Sequence, residues 1–542
     1  MIQTLTTRQT QWVDKTLSSL SLGECIAQLL CISQFHDSRE YWLRLIEKTP
    51  IGSMRARAES AEAYRDLLLE IQQHSPIPLL IPANMEHGAA ELRGYGTDFP
   101  WAMAAGAAND EALMVMMGQA IATEARYIGV NWVFNPVVDL NYNFDNPITN
   151  IRSMGDNPDR VSRLASTLIR AMQQHGVAAT AKHFPGDGMD DRDQHLLTTI
   201  NSLPFDQWLA TYGRVWKAVI DAGVMCIMPG HISLPDYQGY SEQPEAAPPA
   251  TLSRKLLVGL LRQELGYEGL IISDNASMIG LTVHVNAEER IVECLASGID
   301  VYLNADPEYD FDRLMRAVRD GRLSEERIYQ SARRVLEMKA RLNLFETPVG
   351  PEPTSDQKVA FQDAAQAIAD KSITVLRSDE RQLKLAPGSK VLTVTYAKLI
   401  TMMGQTDLET FDQELRERGF RVEHLLNPTS DELRRMAKAH DAVFINLYIT
   451  PMMSLGAVRM TDSFRTWGWR SLFVDHRNVV YTAFGSPYVA YELPHVPKLI
   501  ATYGGSDVSQ RAAVKVWLGE MEAQGTLPVR IPQVQIKPLP TA

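Results

Sequence analysis

The chain is poor in the features that mark several protein classes. It has only four cysteines, Cys25, Cys31, Cys226 and Cys294, with no CxxC pair and no ligand spacing toward the histidines. A disulfide framework and a cysteine-bound metal are therefore not expected, and buried free thiols are the plain reading. No apolar run reaches the length of a membrane span. The N-terminus, Met1-Ile2-Gln3-Thr4-Leu5-Thr6-Thr7-Arg8, lacks the basic-then-apolar layout of a signal peptide. Together these absences predict a cytoplasmic protein with no membrane partner. Positive charge is not in excess: 53 Lys and Arg against 65 Asp and Glu leave a net charge of −12, with the basic residues dispersed among acids. A nucleic-acid partner, which would call for a basic patch, is not expected. No internal repeat or low-complexity tract stands out beyond a recurring strand–helix unit.

What is present points to a large soluble protein. The 542 residues exceed one compact domain by the usual prior. With 45% hydrophobic and 22% charged residues the composition is that of a globular chain and not of a disordered one. Strand-like runs at Ile77 to Ile81, Val130 to Phe134, Gly176 to Ala181, Val224 to Met228, Gly269 to Ser273 and Val301 to Leu303 alternate with helical stretches. Those stretches include Leu20 to Leu30, Ala61 to Gln72, Phe99 to Arg126, Arg160 to Gln174, Phe205 to Asp221 and Leu252 to Glu264. Such alternation predicts parallel strands covered by helices, and the length fits an eight-fold barrel, which needs roughly 250 residues or more. Glu346 to Lys358, with three prolines and one glycine, reads as a linker. Beyond it, Val391 to Thr395, Ala442 to Leu447, Val479 to Ala483 and Leu499 to Thr502 form a second strand series. The expectation is an α/β protein: an N-terminal (β/α)8 TIM-type barrel over 1–345, a linker over 346–358, and a C-terminal open α/β (αβα) sandwich over 359–542.

The polar residues of interest follow strands. Lys182-His183-Phe184-Pro185-Gly186-Asp187-Gly188 through Asp193-Gln194-His195 leaves the strand before it, as Asn84, Glu86 and His87, then Asp139, His231 and Asp274 leave theirs. In parallel α/β proteins the exits of the strands carry the ligand sites. Taken alone, Asp274 at a strand exit also suits a helix cap or turn, and His195 could cap a helix starting near Leu196.

Lys182-His183-Phe184-Pro185-Gly186 with Asp193-x-His195, and Gly269-Leu270-Ile271-Ile272-Ser273-Asp274, resemble glycoside hydrolase family 3, most closely its β-N-acetylhexosaminidase branch. Val137-Val138-Asp139, Asn146-Pro147 and Arg152-Ser153-x-Gly155-Asp156 are similar to the stretch between, and Phe484-Gly485-Ser486-Pro487-Tyr488 with Thr502-Tyr503-Gly504 to the C-terminal part. The resemblance implies a barrel-based retaining exo-glycosidase acting on carbohydrate, with Asp274 as nucleophile and a His195–Asp193 pair as acid/base. It implies that Lys182, His183 and Arg152 hold sugar hydroxyls, that Asn84 and the displaced Arg93 stand at the far side of the sugar, and that His231 lies near the site as a sugar contact or a structural hydrogen bonder. No metal and no cofactor are implied.

A histidine titrates near neutrality, with an unperturbed pKa of about 6.5, and a carboxylate partner fixes its tautomer; it can give a proton and then take one back. Its neutral form carries no negative charge, so it tolerates an anionic acceptor, and a glycoside phosphorylase is the alternative outcome. Departures from the family pattern supply a second alternative, a catalytically weakened sugar-binding or interaction protein. Asn84 stands where an Asp is usual, His87 where a Gly is usual, and Asp187 where the branch commonly has a His. Pro185 through Gly188 is expected to act as a hinge for the loop. Oligomeric state is not legible.

Overall fold

The computed structural model describes residues 2–33, 39–56, 58–92, 94–378, 383, 385–397, 408–450 and 467–532. The chain forms two compact units of interleaved stretches. Met1–Asp98, Glu111–Leu140 and Pro158–Gln362 make the first; Phe99–Asp110, Asn141–Asn157 and Asp363–Ala542 make the second. Two short stretches thus leave the first 345 residues to join the second unit. The proline-rich stretch is not a loose tether: Arg126 Nη1 donates to the Pro348 carbonyl at 2.8 Å, the Gly350 amide donates to the Arg126 carbonyl at 2.8 Å, and a helix runs over Ser355–Ser372.

Among the described residues, ten short strands belong to the first unit: β1 (Leu30–Ser33), β2 (Ser53–Arg55), β3 (Pro82–Ala83), β4 (Trp132–Val133), β5 (Ala178–Phe184), β6 (Thr199–Ile200), β7 (Cys226–Pro229), β8 (Ile232–Ser233), β9 (Leu270–Ile271) and β10 (Tyr302–Leu303). They pair in parallel throughout, in the orders β3-β4-β5-β7-β9, β10-β1-β2 and β6-β8. Single parallel bridges add Ser53 to Leu80 and Ile272 to Val301. β5 is buried at all seven positions, as expected of a strand covered on both faces. Trp132, Phe134, Ala178, Met228, Leu270, Ile272, Val301 and Leu303 share one apolar cluster; fully burying a large side chain of this kind contributes roughly 1.5–3 kcal/mol.

The helices start where capping chemistry allows. Ser21 and Glu24 form a reciprocal capping box at Leu22–Ala27, so the helix expected over Leu20 to Leu30 is shorter and gives way to β1. Ser60 accepts from the Ala63 amide at the start of Ala61–His74, and Ser324 from Arg327 at the start of Glu325–Arg341. The single helix expected from Phe99 to Arg126 is two, Ala102–Ala108 and Glu111–Ile128, because Asn109 is left-handed at φ 51° and closes the first. At the entry to β10, the fully buried Asp300 meets Arg262, Arg327 and Arg334 at 2.7, 3.1 and 3.1 Å. Burial alone would raise its carboxyl, but the three guanidinium groups hold it below the usual range. Lys339, also fully buried, donates to Gln28 Oε1 at 2.6 Å, and burial pulls its ammonium down to about 7.

Among the described residues of the second unit there is a six-stranded sheet: β11 (Thr374–Arg377), β12 (Lys390–Ala397), β13 (Arg421–Leu426), β14 (Ala442–Ile449), β15 (Val479–Gly485) and β16 (Leu499–Ala501). Its order is β11-β16-β15-β14-β12-β13, parallel except where β11 meets β16. The four strands expected from apolar runs are the inner ones. β11 and β13 lie at the edges and carry mixed or exposed positions, which is why no apolar run announced them. Met103, Ala104, Ala107 and Ile151 join the core of this unit, which accounts for the grouping of their two stretches with it. Among the described residues no helix is long and apolar enough to cross a membrane.

Candidate active site

β5 delivers Lys182 and His183 at its end, both within a strand that is closed to solvent. The Lys182 ammonium donates to Glu86 Oε1 at 2.7 Å, with side-chain exposures of 5% and 8%; a buried charge of this kind persists because it is paired. Asp139, just beyond β4, holds His183 twice. Oδ1 accepts the His183 backbone amide at 3.1 Å and Oδ2 accepts Nδ1–H at 2.8 Å. That fixes the proton on Nδ1 and leaves Nε2, 3.9 Å from Asp274 Oδ2, as the nitrogen facing the pocket.

Asp274 follows β9 and accepts the Asn275 amide on Oδ1 at 2.7 Å. Burial would raise its carboxyl, but the imidazoles of His183, His231 and His195 together with the Asn275 amide reverse that and hold it below the ordinary value. A carboxylate kept ionised at the end of a strand is suited to act as a nucleophile.

The turn after β5 is fastened from behind. The Pro185 carbonyl accepts the indole N–H of Trp208 at 2.9 Å and of Trp216 at 3.0 Å, and Tyr212 donates to the Asp187 carbonyl at 2.8 Å. Pro185 through Gly188 is thus an anchor, and the expected hinge is not found there. Further along, Asp193 Oδ1 accepts both the His195 amide at 2.8 Å and Nδ1–H at 2.7 Å. The aspartate side chain is fully buried and the imidazole 18% exposed, leaving Nε2 for proton exchange. The Ile279 amide, just past Asp274, donates to the His195 carbonyl at 3.0 Å. The loop and the segment that follows Asp274 are therefore joined, and β6 and β8 secure the loop's far end through Thr199 N–H to the His231 carbonyl.

His231 is fully buried, and both ring nitrogens are engaged at 3.0 Å, Nδ1 with Thr251 Oγ1 and Nε2 with the Asn275 carbonyl. Burial lowers its pKa. In this geometry it steadies the residue after Asp274 and has no nitrogen to offer a sugar, so its contact role gives way to the structural one. Asn84 is exposed beyond β3, ahead of Met85 at φ 49°. His87 sits against Asp98 at 2.8 Å and Glu91 at 3.7 Å; burial opposes its charge, but Glu91, Asp98 and Glu86 push it up to about 9. Arg93 lies outside the described residues. Arg152 belongs to the second unit, where Nη1 donates to the Ile148 carbonyl at 3.3 Å. Among the described residues no cluster of three His, Cys, Asp or Glu could hold a metal ion.

Sequence reasoning placed Glu86 and Asp139 at strand exits without giving them a role, and passed over Gln194. Their partners are 96, 44 and 37 residues away in the chain, and only their places beside strand exits or within the loop could have pointed to them.

Residues 21–338 match the family model described as the glycosyl hydrolase family 3 N-terminal domain. Over 541 residues, 96% of this chain and 95% of the relative, the chain is 31% identical to a beta-N-acetylglucosaminidase/beta-glucosidase of Cellulomonas fimi. A beta-hexosaminidase A of Pseudoalteromonas piscicida is 29% identical over 50% of this chain and 49% of its own length. Among solved structures, a beta-glucoside phosphorylase aligns with a TM-score of 0.87 at 29% identity, covering 97% of each chain. A glycoside hydrolase family 3 beta-N-acetylglucosaminidase from Paenibacillus sp. aligns with a TM-score of 0.85 at 27% identity, covering 95% of this chain and 99% of its own.

Proposed function

The chain belongs to glycosyl hydrolase family 3, and from that premise we propose that it is a retaining exo-glycosidase resembling β-N-acetylhexosaminidases. It removes terminal β-linked N-acetylglucosamine or a related sugar through a covalent glycosyl ester on Asp274. The observation that carries this reading is the Asp193–His195 pair, bonded at 2.7 Å and joined through the His195 carbonyl to the segment that follows Asp274.

In the first step an Asp274 oxygen attacks the anomeric carbon while Nε2–H of His195 protonates the leaving oxygen, passing through an oxocarbenium-like transition state. Asp193, accepting Nδ1–H, stabilises the imidazolium and fixes its tautomer. In the second step the neutral Nε2 takes a proton from water, which attacks the ester and frees Asp274. Lys182, already paired with Glu86, and His183 Nε2 hold hydroxyls of the sugar, with Asn84 at its far side. The architecture proposed with it is a closed (β/α)8 barrel of β1, β2, β3, β4, β5, β7, β9 and β10, supported by pairings and single bridges that run through all eight, with the second unit as an open sandwich.

Release of nitrophenol from N-acetylglucosaminide, glucoside and related β-glycosides tests the reading, with Asp274→Ala as control. Turnover abolished by the substitution supports it; no turnover by the wild type on a broad panel sinks it. A second reading, a glycoside phosphorylase, has its own support in the phosphorylase neighbour and in an acid/base without fixed negative charge. It predicts that inorganic phosphate speeds turnover and that a sugar 1-phosphate appears. Rates and products indifferent to phosphate remove it.

A further inference from the structure

Gln194 lies between the two members of the acid/base pair, and its side chain points away from them into the protein. It is 1% exposed. Its Oε1 accepts the His231 backbone amide at 2.9 Å and its Nε2 donates to Asp187 Oδ2 at 3.3 Å. A backbone N–H can only donate and an ionised carboxylate can only accept, so the two partners fix which way the amide faces. Asp187, also 1% exposed, stands on the fastened side of the loop. Its Oδ1 accepts the Gly188 amide at 2.7 Å, its own amide donates to Asp139 Oδ1 at 2.8 Å, and its carbonyl takes the Tyr212 hydroxyl. Asp139 is the residue that orients His183. One chain of hydrogen bonds therefore runs from His183, beside the nucleophile, through Asp139, Asp187 and Gln194 to the loop that carries Asp193 and His195.

The fit around Gln194 is close. A Cβ at Gly280 would lie 2.6 Å from the Gln194 carbonyl oxygen and 2.8 Å from that of Leu197, so the helix Ile279–Thr282 and the loop meet with no room for a methyl group. The His195 carbonyl is bonded to the Ile279 amide in the same contact. Asp187, which departs from the family pattern, faces Gln194.

We propose that Asp187 and Gln194 form a clamp that fixes the Asp193–His195 pair in its working position over Asp274. Both are positioning residues, and the inference rests on the acid/base reading given above. The clamp matters when the leaving oxygen needs a proton and is idle when it does not.

The test compares kcat/KM on two β-glycosides of one sugar, a dinitrophenyl glycoside, whose leaving group departs without protonation, and a methyl glycoside, whose leaving group needs the acid. General-acid assistance is typically worth 10²–10⁴-fold. Asp187→Ala and Gln194→Ala are each expected to lose about 100-fold on the methyl glycoside and less than about 3-fold on the dinitrophenyl glycoside. Gln194→Glu, which sets carboxylate against carboxylate, shows the same selective loss. Asp187→Asn keeps an oxygen for Gln194 Nε2 and recovers most of the activity.

Equal losses on both substrates, or none, overturn the clamp. His195→Ala separates the two levels of inference. If it is selective and the clamp variants are not, only the clamp fails; if His195→Ala is itself unselective, the acid/base assignment fails and the clamp with it. Should Asp187→Ala fail to fold, Gln194→Ala decides alone.

Discussion

Replacing Asp139 by asparagine probes the site at its most connected point. The carboxylate receives donors on both oxygens: Oδ1 takes the amides of His183 and Asp187 at 3.1 and 2.8 Å, and Oδ2 takes His183 Nδ1–H at 2.8 Å, with the aspartate side chain fully buried. An asparagine oxygen can keep both backbone amides, so the fold survives. The NH2 group then stands where Oδ2 was and faces Nδ1–H, donor against donor. The imidazole resolves this by moving its proton to Nε2, the nitrogen 3.9 Å from Asp274 Oδ2. Nε2 then donates where it used to accept, and a sugar hydroxyl that relied on it loses its acceptor. A lost hydrogen bond in a buried polar site costs about 1.5–3 kcal/mol, roughly 10- to 150-fold in kcat/KM. The assay is kcat/KM on a nitrophenyl glycoside beside a melting curve. Asp139→Asn that melts like the wild type and keeps kcat/KM within about 3-fold would refute the tautomer argument. Asp139→Ala, which strips these donors of their partner, is expected to be less stable as well, by several times about 1 kcal/mol.

Three further expectations follow from buried charges. Although burial raises the Asp274 carboxyl, His183 leads the groups that hold it low, so it stays ionised as pH falls and the acid limb of kcat/KM on a dinitrophenyl glycoside lies below the range of an ordinary aspartate; a limb centred above that range contradicts this. Lys339 has its ammonium pulled from 10.5 to about 7. Between those values the unfolded chain holds a proton that the folded chain has given up, so stability rises with pH across that window, by about 2 kcal/mol from pH 7 to 9. Lys339→Met should abolish the rise in denaturant unfolding at the two pH values, and a rise retained in the variant would count against it. Asp300→Asn leaves three guanidinium groups without their shared carboxylate and should cost about 3–5 kcal/mol, read as a fall in Tm; a Tm unchanged within about 1 °C would show the network to be idle.

The parts of this site that are close together in sequence were readable in it. Lys182, His183, Asp193 and His195 fall within one short stretch, and Asp274 ends an apolar run, so strand-exit logic brought them forward. The partners that make them work were not, because Glu86 with Lys182 and Asp139 with His183 meet only once separate strands are aligned. His231 illustrates the opposite difficulty: a histidine after a strand reads the same whether its nitrogens face a ligand or, as here, Thr251 and Asn275. The inner strands of the second unit announced themselves as apolar runs, while β11 and β13, half-exposed at an edge, did not, and in the first unit β1 was hidden behind the expected helix. The interleaving of the units was equally silent, because Phe99–Asp110 and Asn141–Asn157 carry no shift of composition that sets them apart.

The double acceptor at Pro185 has a spectroscopic consequence. With the indoles of Trp208 and Trp216 both spent on one carbonyl oxygen, at 2.9 and 3.0 Å, and both rings buried, these two fluorophores are tied to the fastened end of the loop. Their emission will report on this turn and will shift when the turn itself comes apart. A reporter for the segment beyond the anchor has to be planted there, and Leu196, 37% exposed beside His195, is the position for it.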